Sequence, residues 1–262
     1  MFDLDRFSAA LRLGFEHQEE RAISELDALL GEGLDDENRG WVLIYQARFL
    51  GYLLRLAEAR TRLAEVSRIW EKTPQHDVRI AVAEAVLYEA EENPSRTLKE
   101  LDRILERYKG QWDLPGMDDP YEEIQATRGR LLVGEERCKE ALPLLEETLK
   151  FERGKPGEFY FNLGYCYFVT EQWEESERWL KEALTKELDS AFASITHYYL
   201  GRLEHDRGAF ARAVKEFETS EEYARDAGIS RKAIYGALAK AYKGLGQIED
   251  AIHYAELAVS SE

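Results

Sequence analysis

Residues Tyr160 to Leu184 read "YFNLGYCYFVTEQWEESERWLKEAL". A Leu-Gly pair (Leu163-Gly164) sits in its aromatic first half, Ser176 follows twelve positions after the glycine, and Leu180 comes four later. The distances recur without gaps in "HYYLGRLEHDRGAFARAVKEFETSE" from His197 and in "YGALAKAYKGLGQIEDAIHYAELAV" from Tyr235. A repeat at this period means stacked supersecondary units.

Carried towards the N-terminus, the pattern resolves into three columns. The first small column is Ala10, Ala47, Ala85, Gly129, Gly164, Gly201, Ala239; the second is Ala22, Ala59, Thr97, Ala141, Ser176, Ala213, Ala251. The apolar column is Leu26, Leu63, Leu101, Leu145, Leu180, Phe217, Ala255. Each unit therefore reads as two amphipathic helices joined by a short turn. The pair approaches closely only where one small residue faces another, and larger residues at helical spacing fill the gaps between units. Gly208 and Gly246 fall in inter-helix turns, where a positive φ is needed. The Gly244-Leu245-Gly246 run is thus a helix end and a turn; a dinucleotide loop would need a preceding strand and a further glycine.

The pattern resembles the tetratricopeptide repeat family, in its extended-helix variant. Tyr160, Leu163, Gly164, Tyr167, Trp173, Ala183 and Leu184 match the family's aromatic, Leu-Gly, Tyr, aromatic and Ala-Leu landmarks. The proline usual after the second helix is missing, and units are 35 to 44 residues apart in the first column, against about 34 in the family. In the first four units the landmarks weaken, with Gln46, Glu84 and Arg128 where Leu is expected. The resemblance implies an all-α fold, a right-handed superhelical solenoid of about seven helix-turn-helix repeats over residues 1–262. The stretch "YKGQWDLPGMDDPY", Tyr108 to Tyr121, reads as a loop. It is either a hinge between sub-blocks 1–107 and 122–262 or a surface loop that leaves one unbroken solenoid.

Acidic residues outnumber basic ones 52 to 35, giving a net charge of -17. That charge opposes whole-surface binding to nucleic acid or anionic membrane. The N-terminus carries Asp3 and Asp5 where a secretory signal is basic, and the most apolar run, Trp41 to Leu56, contains Arg48. It is shorter than the roughly 20 apolar residues of a membrane helix. A soluble, cytoplasmic protein is expected. Its two cysteines, Cys138 and Cys166, have no metal-ligand spacing and read as reduced, packed thiols.

Catalytic patterns are absent from the sequence. The five histidines (His17, His76, His197, His205, His253) form no H-E-x-x-H pair, and neither a P-loop nor a G-x-S-x-G elbow occurs. No enzyme activity, metal or cofactor is expected.

In such solenoids the first helix of each unit lines the concave face. One residue past the first small column stand Leu11, Arg48, Val86, Arg130, Tyr165, Arg202 and Lys240, four of them basic. Three and four residues earlier in the chain lie Phe7, Ile44, Tyr45, Phe161, Asn162, Tyr198 and Tyr199, and further along Tyr52, Phe168, His205 and Lys243. Cations flanked by rings suit an extended or helical peptide with acidic groups. The competing reading is that these cations snorkel or pair with nearby acids, as Arg202 with Glu204 or Asp206. The resemblance makes Asn162 the groove asparagine that holds a ligand's backbone amide. It also implies that the family's clamp for acidic chaperone tails is missing, because Ala126 and Arg130 stand where Lys and Asn are needed.

The expected function is a non-enzymatic protein-protein interaction module that binds a peptide or partner protein in that groove. The alternative is a bacterial regulatory or sensor domain that binds a small signalling peptide. No polar capping helix follows Val259. Self-association through that uncapped end and truncation from a longer protein are both open.

Overall fold

The computed structural model describes residues 2–151 and 156–261. Among them are fourteen α-helices and no strand. The chain divides into two compact units, residues 1–128 and 129–262. Unit 1 holds α1 (Leu4–Phe15), α2 (Glu19–Leu30), α3 (Asp36–Tyr52), α4 (Leu56–Ile69), α5 (Pro74–Ala90) and α6 (Pro94–Arg107). The division falls within α7 (Asp118–Gly134). Unit 2 continues with α8 (Cys138–Thr148), α9 (Gly157–Val169), α10 (Trp173–Leu184), α11 (Ser190–Asp206), α12 (Phe210–Ala227), α13 (Lys232–Gly244) and α14 (Ile248–Ser260).

Polar caps start several helices. Asp3, Asp35, Thr73, Asn93 and Asp189 each accept a hydrogen bond from a backbone N–H three residues on, and Pro74 and Pro94 occupy the first helical positions. Every helical hairpin then turns in the same way. A left-handed residue sits five positions before the second small column: His17, Leu54, Glu92, Glu136, Glu171, Gly208 and Gly246, with φ between 53° and 76°. The next N–H donates back to a carbonyl in the first helix, as from Arg55 to Leu50, from Arg137 to Leu132 and from Gln247 to Tyr242. This is the Schellman closure of a helix C-terminus. Gly208 and Gly246 were expected in these turns; the other five positions are filled by residues that adopt the same conformation at a steric cost. The shared turn fixes the repeat register in the first four hairpins, where the side-chain landmarks are weak.

The small columns mark the close approach. A Cβ on Gly164 would lie 2.7 Å from Leu180 Cγ and 2.9 Å from its backbone N, and one on Gly201 would lie 2.5 Å from the Phe217 ring. The Ser176 hydroxyl donates to the Gly164 carbonyl at 2.9 Å, so the first two columns touch directly. In unit 1 the equivalent positions carry Ala10, Ala47 and Ala85, all buried, packed with Leu26, Leu63 and Leu101. The last hairpin is looser. Ala251 is half-buried, Ala255 is exposed, and α14 contributes no buried residue.

The 108–121 stretch differs from expectation at its end. Irregular chain gives way to α7 at Asp118, with Pro120 in the first turn, where a missing N–H costs nothing. Within unit 1 the stretch is packed: Met117 is fully buried, and the Trp112 ring lies 5.0 Å from Tyr121 and 6.4 Å from Tyr108.

Candidate functional site

The first-helix face of each unit carries the cations and rings picked out by the repeat. In unit 1, Arg48 of α3 forms an ion pair with Glu123 of α7 and lies 5.5 Å from the Tyr45 ring centre. Only 11% of its side chain is exposed. Burial opposes its charge, but Glu123, Tyr52 and Tyr45 more than offset that, and the guanidinium stays above its ordinary value. Its partner is 75 residues away in sequence. Arg48 is thus an internal counter-ion, not a free groove cation. Phe7 and Ile44 are buried in the same core, whereas Phe15 and Tyr52 are exposed beside Tyr45 and Phe49.

Unit 2 arranges the same positions differently. Phe161, Tyr165 and Phe168 of α9 meet Tyr198 and Tyr199 of α11 in one aromatic cluster. Tyr165 and Tyr199 are 5.2 Å apart edge to face, and Phe168 and Tyr199 4.9 Å. Burial, reinforced by Tyr165 and Tyr198, pushes the Tyr199 hydroxyl well above the ordinary phenol value. Phe161 is not a contact surface: it is 7% exposed, enclosed by Tyr165, Tyr199 and Phe192. It holds the other rings in place. Asn162, equally buried, makes no side-chain hydrogen bond among the described residues.

Arg202 lies 5.3 Å from the Phe168 ring centre and 6.0 Å from that of Tyr198. The two nearby carboxylates face other residues, although Asp206 shares a cleft with Arg202. Glu204 pairs with Arg212 at 2.7 Å, and Asp206 faces His205 at 3.3 Å. Among the described residues neither Arg202 nor Lys240 forms an ion pair. Arg130 is exposed on α7 but already interacts within the protein.

Between α11 and α13 opens a cleft of about 430 Å³, lined by Tyr198, Arg202, His205, Asp206, Gly236 and Lys240 among others. Its origin is legible in the columns. Three and two residues before the first small column, α9 has Phe161 and Asn162 and α11 has Tyr198 and Tyr199, but α13 has only Gly236 and Ala237. Small side chains leave the wall open there. Tyr198, Arg202 and Lys240 are legible from the repeat; the cleft and Phe192 are not, because the opening is left by the small Gly236 and Ala237 and not made by a side chain that stands out.

Among the described residues no group of three or more His, Cys, Asp or Glu is arranged to hold a metal ion, and no helix is long and apolar enough to cross a membrane.

Paired helices with a common turn and a small-residue crossing define a helical-hairpin repeat protein with the tetratricopeptide fold. Similar solved structures are PilF of Pseudomonas aeruginosa (TM-score 0.60, 16% identity, covering 84% of this chain and 90% of that one) and MamA (0.54, 16%, 70% and 90%). A third is YrrB, a TPR protein with an unusual peptide-binding site (0.53, 19% identity, 69% and 84%). No family profile and no curated protein sequence matches the chain.

Proposed function

We propose that the chain is a non-enzymatic protein-interaction module, and that the α9–α11–α13 face of unit 2 takes a peptide or partner segment with acidic groups and an apolar anchor. The observation that carries this reading is the pair of cations, Arg202 and Lys240, left without ion-pair partners at an open cleft on a protein of net charge -17. Arg202 is held against two rings, so it is positioned before any ligand arrives. A ligand carboxylate completes both charges. Tyr165, Tyr198 and Tyr199 offer ring faces to an apolar side chain, and Asn162 offers an unpaired amide to ligand backbone. The peptide-binding site of a similar fold, YrrB, supports the same class of ligand.

A fluorescence-anisotropy screen of a short-peptide array tests this. Acidic peptides containing Phe, Tyr or Leu are expected to bind, with affinity falling as salt rises. Arg202→Glu with Lys240→Glu should weaken them at least about tenfold, equivalent to about 1.4 kcal/mol, with helical circular dichroism unchanged. Equal binding by the reversed-charge protein would place the site elsewhere.

A further inference from the structure

Both cysteines of the chain are free and buried, and both lie in unit 2: Cys138 is the first residue of α8, and Cys166 lies in the last third of α9. α8 and α9 pack against each other. The repeat shows where the Cys138 position points. Its counterpart two hairpins on is Phe210, at the start of α12, which packs onto the next first helix at Gly244. Ala241, the counterpart of Cys166, is one helical turn before Gly244. The second-helix start of one hairpin thus meets the first helix of the next within one helical turn of the level Cys166 occupies. In the fourth and fifth hairpins both places happen to hold a thiol.

The immediate surroundings favour chemistry at Cys138. It directly follows an exposed turn, Glu136 and Arg137, in which Glu136 takes the left-handed conformation. Cys138 itself is only 2% exposed, so its reaction with a small oxidant requires that turn to open. A thiol at a helix start is also acidified by the unpaired N–H groups there. A hydrogen bond from Cys166 draws the Cys138 thiol below its ordinary value against the opposing effect of burial; the same bond and burial push Cys166 up. Cys138 is the nucleophile of the pair, Cys166 the proton-bearing partner.

We propose that Cys138 and Cys166 form an oxidisable dithiol that closes to an α8–α9 disulfide under a two-electron oxidant such as hydrogen peroxide. The Cys138 thiolate attacks one peroxide oxygen, the O–O bond breaks, and hydroxide leaves to be protonated to water. Cys138 is then a sulfenic acid. The Cys166 sulfur gives up its proton and attacks the Cys138 sulfur, forming the S–S bond and expelling hydroxide, which becomes a second water. Overall two thiols and one peroxide give one disulfide and two waters. The cross-link ties α8 to the helix that carries Tyr165 and Phe168, so it bears on the aromatic cluster, but it stands independently of any peptide ligand.

The experiment treats the folded protein with hydrogen peroxide, then unfolds it, alkylates the remaining thiols and measures intact mass. Closure predicts that alkylatable thiols fall from two to none, that the unalkylated mass drops by about 2 Da, that the chain stays monomeric on a non-reducing gel, and that dithiothreitol restores both thiols. Cys166→Ser should leave a sulfenic acid on Cys138 that dimedone traps, whereas Cys138→Ser should leave Cys166 unreactive. Two surviving thiols, added oxygen in place of lost hydrogen, or a disulfide-linked dimer would each overturn the proposal, and the wild-type mass decides it even if neither serine variant folds.

Discussion

Arg48 and Arg202 occupy the same position of the repeat, one residue past the first small column, yet meet opposite fates. In unit 1 the α7 carboxylate of Glu123 reaches Arg48 and buries it among Tyr45 and Tyr52. In unit 2 the nearby acids Glu204 and Asp206 face other residues, and Arg202 rests on Phe168 and Tyr198 with its charge unpaired. The small column differs in part: alanine at Ala10, Ala47 and Ala85, glycine at Gly129, Gly164 and Gly201, with alanine again at Ala239. A repeat position therefore sets where a side chain stands. Residues far away in sequence decide whether it stabilises the fold or remains available to a partner.

The sharpest way to break the contrast is at the helix crossing. Gly201→Val puts carbon into the Phe217 ring and is expected to cost about 3 kcal/mol through overpacking, seen as a lowered urea midpoint and a disordered α11–α12 pair. Ala47→Gly in unit 1, which loses only a methyl and gains backbone freedom, should cost about 1 kcal/mol. Glu123→Gln comes next. It leaves Arg48 buried without its counter-charge, and a stability loss of about 2 kcal/mol is expected.

Alkaline unfolding probes unit 1 from another side. Burial and a 2.8 Å hydrogen bond to Asp77 raise the Tyr108 hydroxyl from its ordinary 10.0 to about 12. The folded value lies above the unfolded one, so the stability it brings is complete below pH 10 and is lost as pH climbs towards 12. Tyr108→Phe should flatten that part of the pH–stability curve, measured by urea titration at several pH values. The smallest effect has the opposite sign. Leu54 is exposed with φ 58° in a hairpin turn; Leu54→Gly should stabilise unit 1 by up to about 1 kcal/mol by relieving left-handed strain.

How much of this could be read beforehand follows from distance along the chain. The Gly164–Ser176–Leu180 spacing is local, so the crossing and the hairpin were legible, as were the turns at Gly208 and Gly246. The turns at His17, Leu54, Glu92, Glu136 and Glu171 were not, because none of these residues advertises a positive φ. Asp118, Asp119 and Pro120 read as loop, yet they are the kind of residues that begin a helix. Arg202 and Lys240 were found from the column alone. That Arg48 is neutralised by Glu123 was not, because no local pattern links residues so far apart.

The most direct test compares Arg48→Ala with Arg202→Ala by urea denaturation, with circular dichroism as the probe. The account predicts a loss of about 2–3 kcal/mol for Arg48→Ala, from a broken buried ion pair, and under about 1 kcal/mol for Arg202→Ala, which gives up only its ring contacts. Equal losses would show that Arg202 is as much a part of the fold as Arg48, and the assignment of unit 2 as the binding face would fail.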